Sequence, residues 1–153
     1  MDINERRPAY LAPGTSITGK ILNVLGDRVT VKLSGGETVG ASTIFEIETD
    51  PGTGPPMHVH HREDEAFYIL EGEYEFHVGG RAIRARAGAF LFGPREIPHR
   101  YQVVGATRGR ILVCTQPAGL EYFYEEIAAA TVNGHPDMEK VGAACRKYQI
   151  EFV

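Results

Sequence analysis

Between Met57 and Gly72 the chain reads MHVHHREDEAFYILEG. His58, His60 and His61 are followed at once by Glu63, Asp64 and Glu65, and the run then turns apolar. Imidazole nitrogens and carboxylate oxygens are donors that suit borderline divalent ions. His58 and His60 are two residues apart, so on a strand both side chains leave the same face. Their Cα atoms would lie about 7 Å apart, close enough for both rings to meet one ion at about 2.0–2.1 Å. Pro55 and Pro56 stiffen the approach and lower the entropy lost on ordering it.

Glu65 stands at an odd offset from His60 and, on one continuous strand, would face the other way. For it to join the histidines the chain must turn or bulge, and His61-Arg62-Glu63-Asp64 is polar enough to be an exposed turn. After that turn Glu65, Phe67 and Ile69 share a face. A carboxylate leading an apolar face is costly to bury unpaired, and a cation removes the cost. Further on, GAFLFGPREIPH places His99 just after Pro98, which biases the chain toward extended geometry. Three neutral imidazoles and one carboxylate make a mixed N/O donor set for a divalent metal. A histidine pair at this spacing also arises without a metal. By alternation His61 points away; Glu63 and Asp64 read as solvated turn residues; His77 and His135 read as structural or exposed.

The elements that must hold these residues read as short strands. Thr18–Leu25 and Arg28–Leu33 pair about a Gly26-Asp27 turn, and Ser34-Gly35-Gly36 reads as another hairpin turn rather than a phosphate loop. Ala41–Thr49 is β-branched, and the segment DPGTGPP, residues 50–56, is a rigid loop. Strands follow at Ala66–Leu70, Tyr74–Val78, Ile83–Ala87, Phe90–Phe92, Tyr101–Val104 and Arg108–Thr115, a spacing typical of a β-sandwich or barrel. Arg84 and Arg86 alternate with Ile83 and Ala85, which predicts a half-buried strand with a solvated charged side. Beyond Pro117 the pattern changes. Leu120–Ala130 and Asp137–Tyr148 read as helices, with Pro136 in the first turn of the second. Met138, Val141, Cys145 and Tyr148 form its core-facing stripe. Residues 149–153 suit a last short strand, and residues 1–14 an irregular arm.

At 153 residues, the chain suits one domain with a substantial core. The division expected is an arm with strands over 1–40, a barrel core over 41–116 and a helical extension over 117–153. Hydrophobic residues make up 42% and charged residues 24%, which excludes a disordered chain. Eighteen glycines and nine prolines point to an all-β fold rich in tight turns. A net charge of −4 argues against a nucleic-acid partner. No apolar run is long enough to span a bilayer, and MDINERRPAY lacks the apolar core of a signal peptide. Cys114 and Cys145 have no metal spacing and read as reduced thiols in a cytoplasmic protein.

Taken together, these residues resemble the cupin superfamily. Its first motif is Gly, five residues, His, one, His, three or four, Glu, six, Gly, and Gly52, His58, His60, Glu65 and Gly72 match it throughout. Its second is Gly, five, Pro, one, Gly, two, His, three, Asn. Gly88, Pro94 and His99 match, while Glu96 stands at the second glycine and Val103 at the asparagine. The segments LGDRVTVKLSGGETVG, PPMHVHHREDEAFYILEGEYEF and KYQIEFV are similar to single-domain cupins (monocupins) related to bacterial quercetin 2,3-dioxygenase. The resemblance implies a double-stranded β-helix, a jelly-roll barrel with N-terminal strands and a short C-terminal helical extension. It implies one divalent ion (iron, nickel, cobalt, manganese or zinc) held by His58, His60, Glu65 and His99, with Glu65 also the catalytic base. The activity implied is a dioxygenase acting on a flavonol-like or other enolisable small molecule. A metal-dependent cyclase, isomerase or lyase and a non-catalytic binding protein stand as alternatives. Phe67, Ile69, Phe90, Phe92 and Tyr101 are candidates for a flat apolar substrate pocket, though core packing explains each equally well; Phe123 and Tyr124 are candidates for its mouth. A homodimer is compatible with this class, and no membrane partner is expected.

Overall fold

The computed structural model of the chain describes residues 6–153. The first five residues of the expected N-terminal arm lie outside that range. The described chain forms β1 (Ile21–Val24), β2 (Asp27–Leu33), α1 (Gly35–Thr38), β3 (Thr43–Thr49), β4 (His58–His60), β5 (Asp64–Glu71), β6 (Glu73–Val78), β7 (Arg81–Arg86), β8 (Phe90–Gly93), β9 (His99–Val103), β10 (Gly109–Gln116), α2 (Leu120–Ala129), β11 (Thr131–Val132), β12 (His135–Pro136), α3 (Met138–Lys147) and β13 (Ile150–Phe152). One sheet runs β1-β2-β3-β10-β5-β8 and the other β13-β4-β9-β6-β7. Every pairing within them is antiparallel. From β3 to β10 the chain crosses between the sheets at every step except the β6–β7 hairpin, and this wraps it into a jelly-roll barrel.

Period-two alternation fills the space between the sheets. Phe45 and Ile47 from β3, Phe67 and Ile69 from β5, Tyr74 and Phe76 from β6, Tyr101 and Val103 from β9, and Ile111 and Val113 from β10 are all buried. Burying each such side chain contributes about 1.5–3 kcal/mol. Phe67, Phe76, Tyr74 and Tyr101 interlock edge-on or tilted, with ring centroids 5.3–6.3 Å apart. On β7 the outward alternates Arg84 and Arg86 are exposed, and Ile83 and Ala85, which alternate with them, are half-buried.

Several local expectations need correction. The first hairpin turns at Leu25-Gly26, not Gly26-Asp27: Val24 pairs directly with Asp27, and both turn residues have positive φ, 52° and 97°. That is the two-residue turn whose twist matches a hairpin. Ser34-Gly35-Gly36 opens α1 instead of a hairpin. Ser34 caps it by accepting from Gly36 N, and Glu37 returns to the Ser34 backbone, the reciprocal S-x-x-E pattern. Pro136 sits in the β11–β12 ribbon rather than in a helix, and Asp137 caps α3 by accepting from the backbone of Glu139 and Lys140. Met138, 63% exposed, lies off the buried stripe, which consists of Val141, Ala144 and Cys145.

Two features position the site. The helix α2 is anchored by buried Glu121, whose carboxylate accepts from Gly119 N, Gly35 N and Thr43 Oγ1. Its Tyr124 packs edge-on against Phe45, and its Phe123 against Tyr148. The loop before β4 is stitched onto β9, with Gly52 N donating to Val103 O and Val103 N to Thr53 O. Any Cβ at Gly54 would lie 2.0 Å from the Tyr101 carbonyl oxygen, so this close approach requires glycine.

Candidate metal centre

The strand β4 carries His58 and His60, buried and facing the barrel interior with their rings 5.0 Å apart. His58 pairs in register with His99, the first residue of β9, and their rings are 4.6 Å apart. Residues 61–63 turn the chain across to the other sheet, and this brings Glu65 of β5 round to the histidines despite its odd offset. Glu65 Oε2 lies 2.7 Å from His99 Nε2 and 3.2 Å from His60 Nε2. One donor atom from each of His58, His60, Glu65 and His99 falls within 4.8 Å of all the others. The structure thus brings together the four donors named from the sequence.

The tautomers suit an ion as well. His58 Nδ1 donates to Pro56 O at 2.8 Å and His99 Nδ1 to Ile97 O at 3.1 Å. Those bonds put a proton on the outer nitrogen and turn Nε2 inward toward the cluster, the direction a ligand atom needs. His60 Nδ1 faces Glu63 Oε2 at 3.6 Å, and neither atom has a hydrogen-bond partner. Glu63 is not a solvated turn residue: it is 0% exposed, with Arg62 Nε 3.8 Å away. The chain turns inward there, and a carboxylate stands behind each of two neighbouring histidines. For His61 the arrangement is external, with Nδ1 2.7 Å from Glu96 and Nε2 2.9 Å from Glu151. Asp64 does lie near the surface, paired with Arg95.

The four donors set one another's charge. Burial, the largest influence, pulls His58 down to about 4, and the imidazoles of His60 and His99 add to the effect against Glu65, so His58 is neutral near pH 7. Burial also works to lower His60, but Glu65 and Glu63 outweigh it and the net shift is upward. For Glu65 burial acts to raise the pKa; the imidazoles, His60 foremost, overcome it and hold the carboxyl at about 2. An ionised carboxylate among imidazoles whose Nε2 atoms point at one another is a donor set that fits a divalent cation.

A cavity of about 250 Å³ opens above the cluster. Phe67, Tyr101, Phe123 and Tyr124 line it, as do Ile150 and Phe152 of β13. Phe67 and Tyr101 are thus in the expected pocket, and Phe123 and Tyr124 at its wall. The other three candidates are elsewhere. Ile69 is buried in the core away from the cavity. Phe90 and Phe92 are 64% and 54% exposed on the outer face. Their cross-strand partners are Tyr68 and Ala66, whereas Leu91 pairs with inward Phe67; alternation therefore turns both rings outward. His77 is half-buried and bonded to Glu75, and His135 is exposed. Asp27, expected in the first hairpin turn, stands at the start of β2 and lines the cavity. Nothing in its local sequence separates it from an ordinary hairpin aspartate, whereas Glu63 had a signal, an acid three residues beyond a candidate ligand.

A double-sheet barrel holding three histidines and a glutamate on its inner wall defines a cupin double-stranded β-helix. Residues 45–115 match the family model of the cupin domain, and the barrel shares its fold with a solved RmlC-like cupin from Shewanella frigidimarina, at a TM-score of 0.58 and 20% identity. The chain is 30% identical over 106 residues to the tetracenomycin polyketide synthase protein TcmJ of Streptomyces glaucescens, a match covering 68% of this chain. The chain spans 60% and 65% of the lengths of the two curated relatives it matches. A predicted oxalate decarboxylase from Thermotoga maritima superposes with a TM-score of 0.58 at 24% identity, covering 64% of this chain and 90% of that one. A recombinant oxalate oxidase in complex with glycolate gives 0.53 at 26% identity, covering 60% and 51%. The cupin second motif has glycine where this chain has Glu96, and the backbone keeps the conformation glycine favours, φ 68°. Glu96 N donates to His60 O, and its side chain holds His61, contacts that offset the strain.

Proposed function

We propose that this chain is a metal-dependent enzyme acting on a small enolisable oxygen compound, and that its reaction is a dioxygenation of the flavonol type. The observation that carries this reading is the convergence of His58, His60, Glu65 and His99 at the floor of an apolar cavity. A divalent ion held there supplies Lewis acidity toward a substrate oxygen. Phe67, Tyr101, Phe123 and Tyr124 orient a flat ring and keep water from it. Glu65 is the one carboxylate of the cluster and would take the proton released as the enol ionises. Backbone carbonyls at Pro56 and Ile97 keep two of the imidazoles turned inward while this happens. The oxalate oxidase relative, in complex with glycolate, supports a small oxygenated ligand in a site of this kind.

A second reading keeps the metal and drops the oxidation: cyclisation, isomerisation or lysis of an enolisable carbonyl. The likeness to a polyketide synthase protein favours it. Elemental analysis of the purified chain, followed by oxygen-electrode measurements with quercetin, separates the readings. About one ion per chain and oxygen uptake dependent on quercetin are expected. Turnover of a β-dicarbonyl without oxygen consumption would select the second reading, and a chain that binds no divalent ion would overturn both.

A further inference from the structure

The far side of the cavity holds a second polar group. Asp27 is half-buried at the start of β2 and lines the same cavity as the four donors. Its side-chain partner is Tyr101 Oη, at a long 3.4 Å. Neighbouring acids are neutralised, Glu48 by Arg28 and Arg108, and Asp50 by Arg108. Among the described residues no basic side chain pairs with Asp27. Two hydroxyls in this part of the barrel, Thr49 Oγ1 and Tyr74 Oη, are buried without a partner. Thr49 neighbours the Asp27 carboxylate, and burial foremost, with Asp50 adding to it against the Thr49 and Tyr101 hydroxyls, raises that carboxyl to about 6. A partly desolvated carboxylate with no basic partner and one long hydrogen bond disfavours folding, so its presence in a cavity wall calls for a ligand that completes it.

Its position relative to the metal end follows from the strand. Tyr101 is two residues along β9 from His99 and shares its face, a step of about 7 Å. The ring of Tyr101 then extends the distance to its hydroxyl and Asp27. Between the two ends the wall is apolar, with Val29, Ile47, Phe67 and Val113.

We infer that Asp27, backed by Tyr101, is a specificity subsite that accepts a hydrogen bond from a hydroxyl at the end of the substrate opposite its metal-binding oxygen. The inference rests on the proposed function and narrows its substrate class to flat hydroxylated aromatics with two polar ends. A substrate with a carboxylate at its far end is disfavoured by like charge.

The test compares 3-hydroxyflavone with 3,4′-dihydroxyflavone, titrated under nitrogen into the cobalt-loaded chain and followed by flavone absorbance. The dihydroxy compound is expected to bind the wild type about tenfold more tightly, as suits a hydrogen bond to a charged acceptor. In Asp27→Asn the ratio of the two affinities should fall to within about twofold of unity. Tyr101→Phe, which keeps the ring in the core, should lower the ratio at least threefold and carries the test should the first variant fail to fold. A ratio retained in whichever variant folds overturns the subsite and leaves the metal enzyme standing. Binding of neither flavone by cobalt-loaded wild type overturns the flavonol reading and the subsite together.

Discussion

The two ends of the cavity are built in opposite ways. At the metal end the outer nitrogens of His58 and His99 each have a backbone acceptor, and the inner atoms converge on one point. At the far end Asp27 lines the cavity with one long bond to Tyr101, and the nearby Thr49 and Tyr74 hydroxyls are buried without a partner. One end is organised before any ligand arrives, and the other is left for a ligand to complete. Preorganisation suits a site whose occupant stays, and open valence suits one whose occupant comes and goes.

That contrast can be broken from either side, and the largest effects belong to the metal end. His58→Ala and His99→Ala should each lower metal content from about one ion per chain to below about 0.1, read by elemental analysis, because each removes one of the four donors that hold the ion. Unchanged stoichiometry in both would remove the metal end from the comparison. Glu63→Gln should weaken metal affinity by about 10–100-fold in chelator competition, since the carboxylate behind His60 orients the ring and raises its basicity. Full affinity in this variant would show that the buried acid serves only the turn.

At the far end the sign should reverse, with removal of a polar group stabilising the fold. The Asp27 carboxyl sits at about 6 against an ordinary 3.8. A raised acid favours the folded state below about 3.8, and that advantage is lost as pH rises through about 6. Asp27→Asn should therefore raise unfolding free energy at pH 8 by about 2 kcal/mol, after allowance for partial exposure, with the gain disappearing below about pH 4. Urea melts at both pH values read this directly, and a destabilised variant at pH 8 would show Asp27 to be a structural partner. The smallest effect is expected of Tyr74→Phe. Removing a buried hydroxyl that has no partner should change stability by less than about 1 kcal/mol, in the stabilising direction.

The same contrast governs what the sequence made legible. The metal end was readable because its donors are rare residue types at strand spacing, and because the two motifs specify the positions of His58, His60, Glu65 and His99 together. Strand alternation also predicted that His61 would face away from the cluster, which it does. The pocket aromatics were not readable in the same way. Phe90 and Phe92 face outward because β8 pairs Gly93 with Glu65, a register set by the intervening hairpins. No residue type in FLF announces that parity. Glu63 is not legible because a polar run resembles a solvated turn, whereas this turn passes through the interior. Asp27 stayed hidden for the opposite reason: a Gly-Asp pair is so common at hairpins that its carboxylate carries no distinguishing signal. At Ser34–Glu37 two glycines make a helix start look like a turn, although S-x-x-E caps α1.

The strand β13 braces β4 directly, Ile150 opposite His60 and Phe152 opposite His58, and both residues also line the cavity. A carboxypeptidase digesting back through Phe152 and Ile150 would strip the support from two ligands before it touched the barrel core. Release of the ion would then run ahead of unfolding in such a digest, and a bound ion would slow the enzyme's advance. Resistance of the C-terminal peptide to trimming thus becomes a readout of occupancy that needs no knowledge of the substrate.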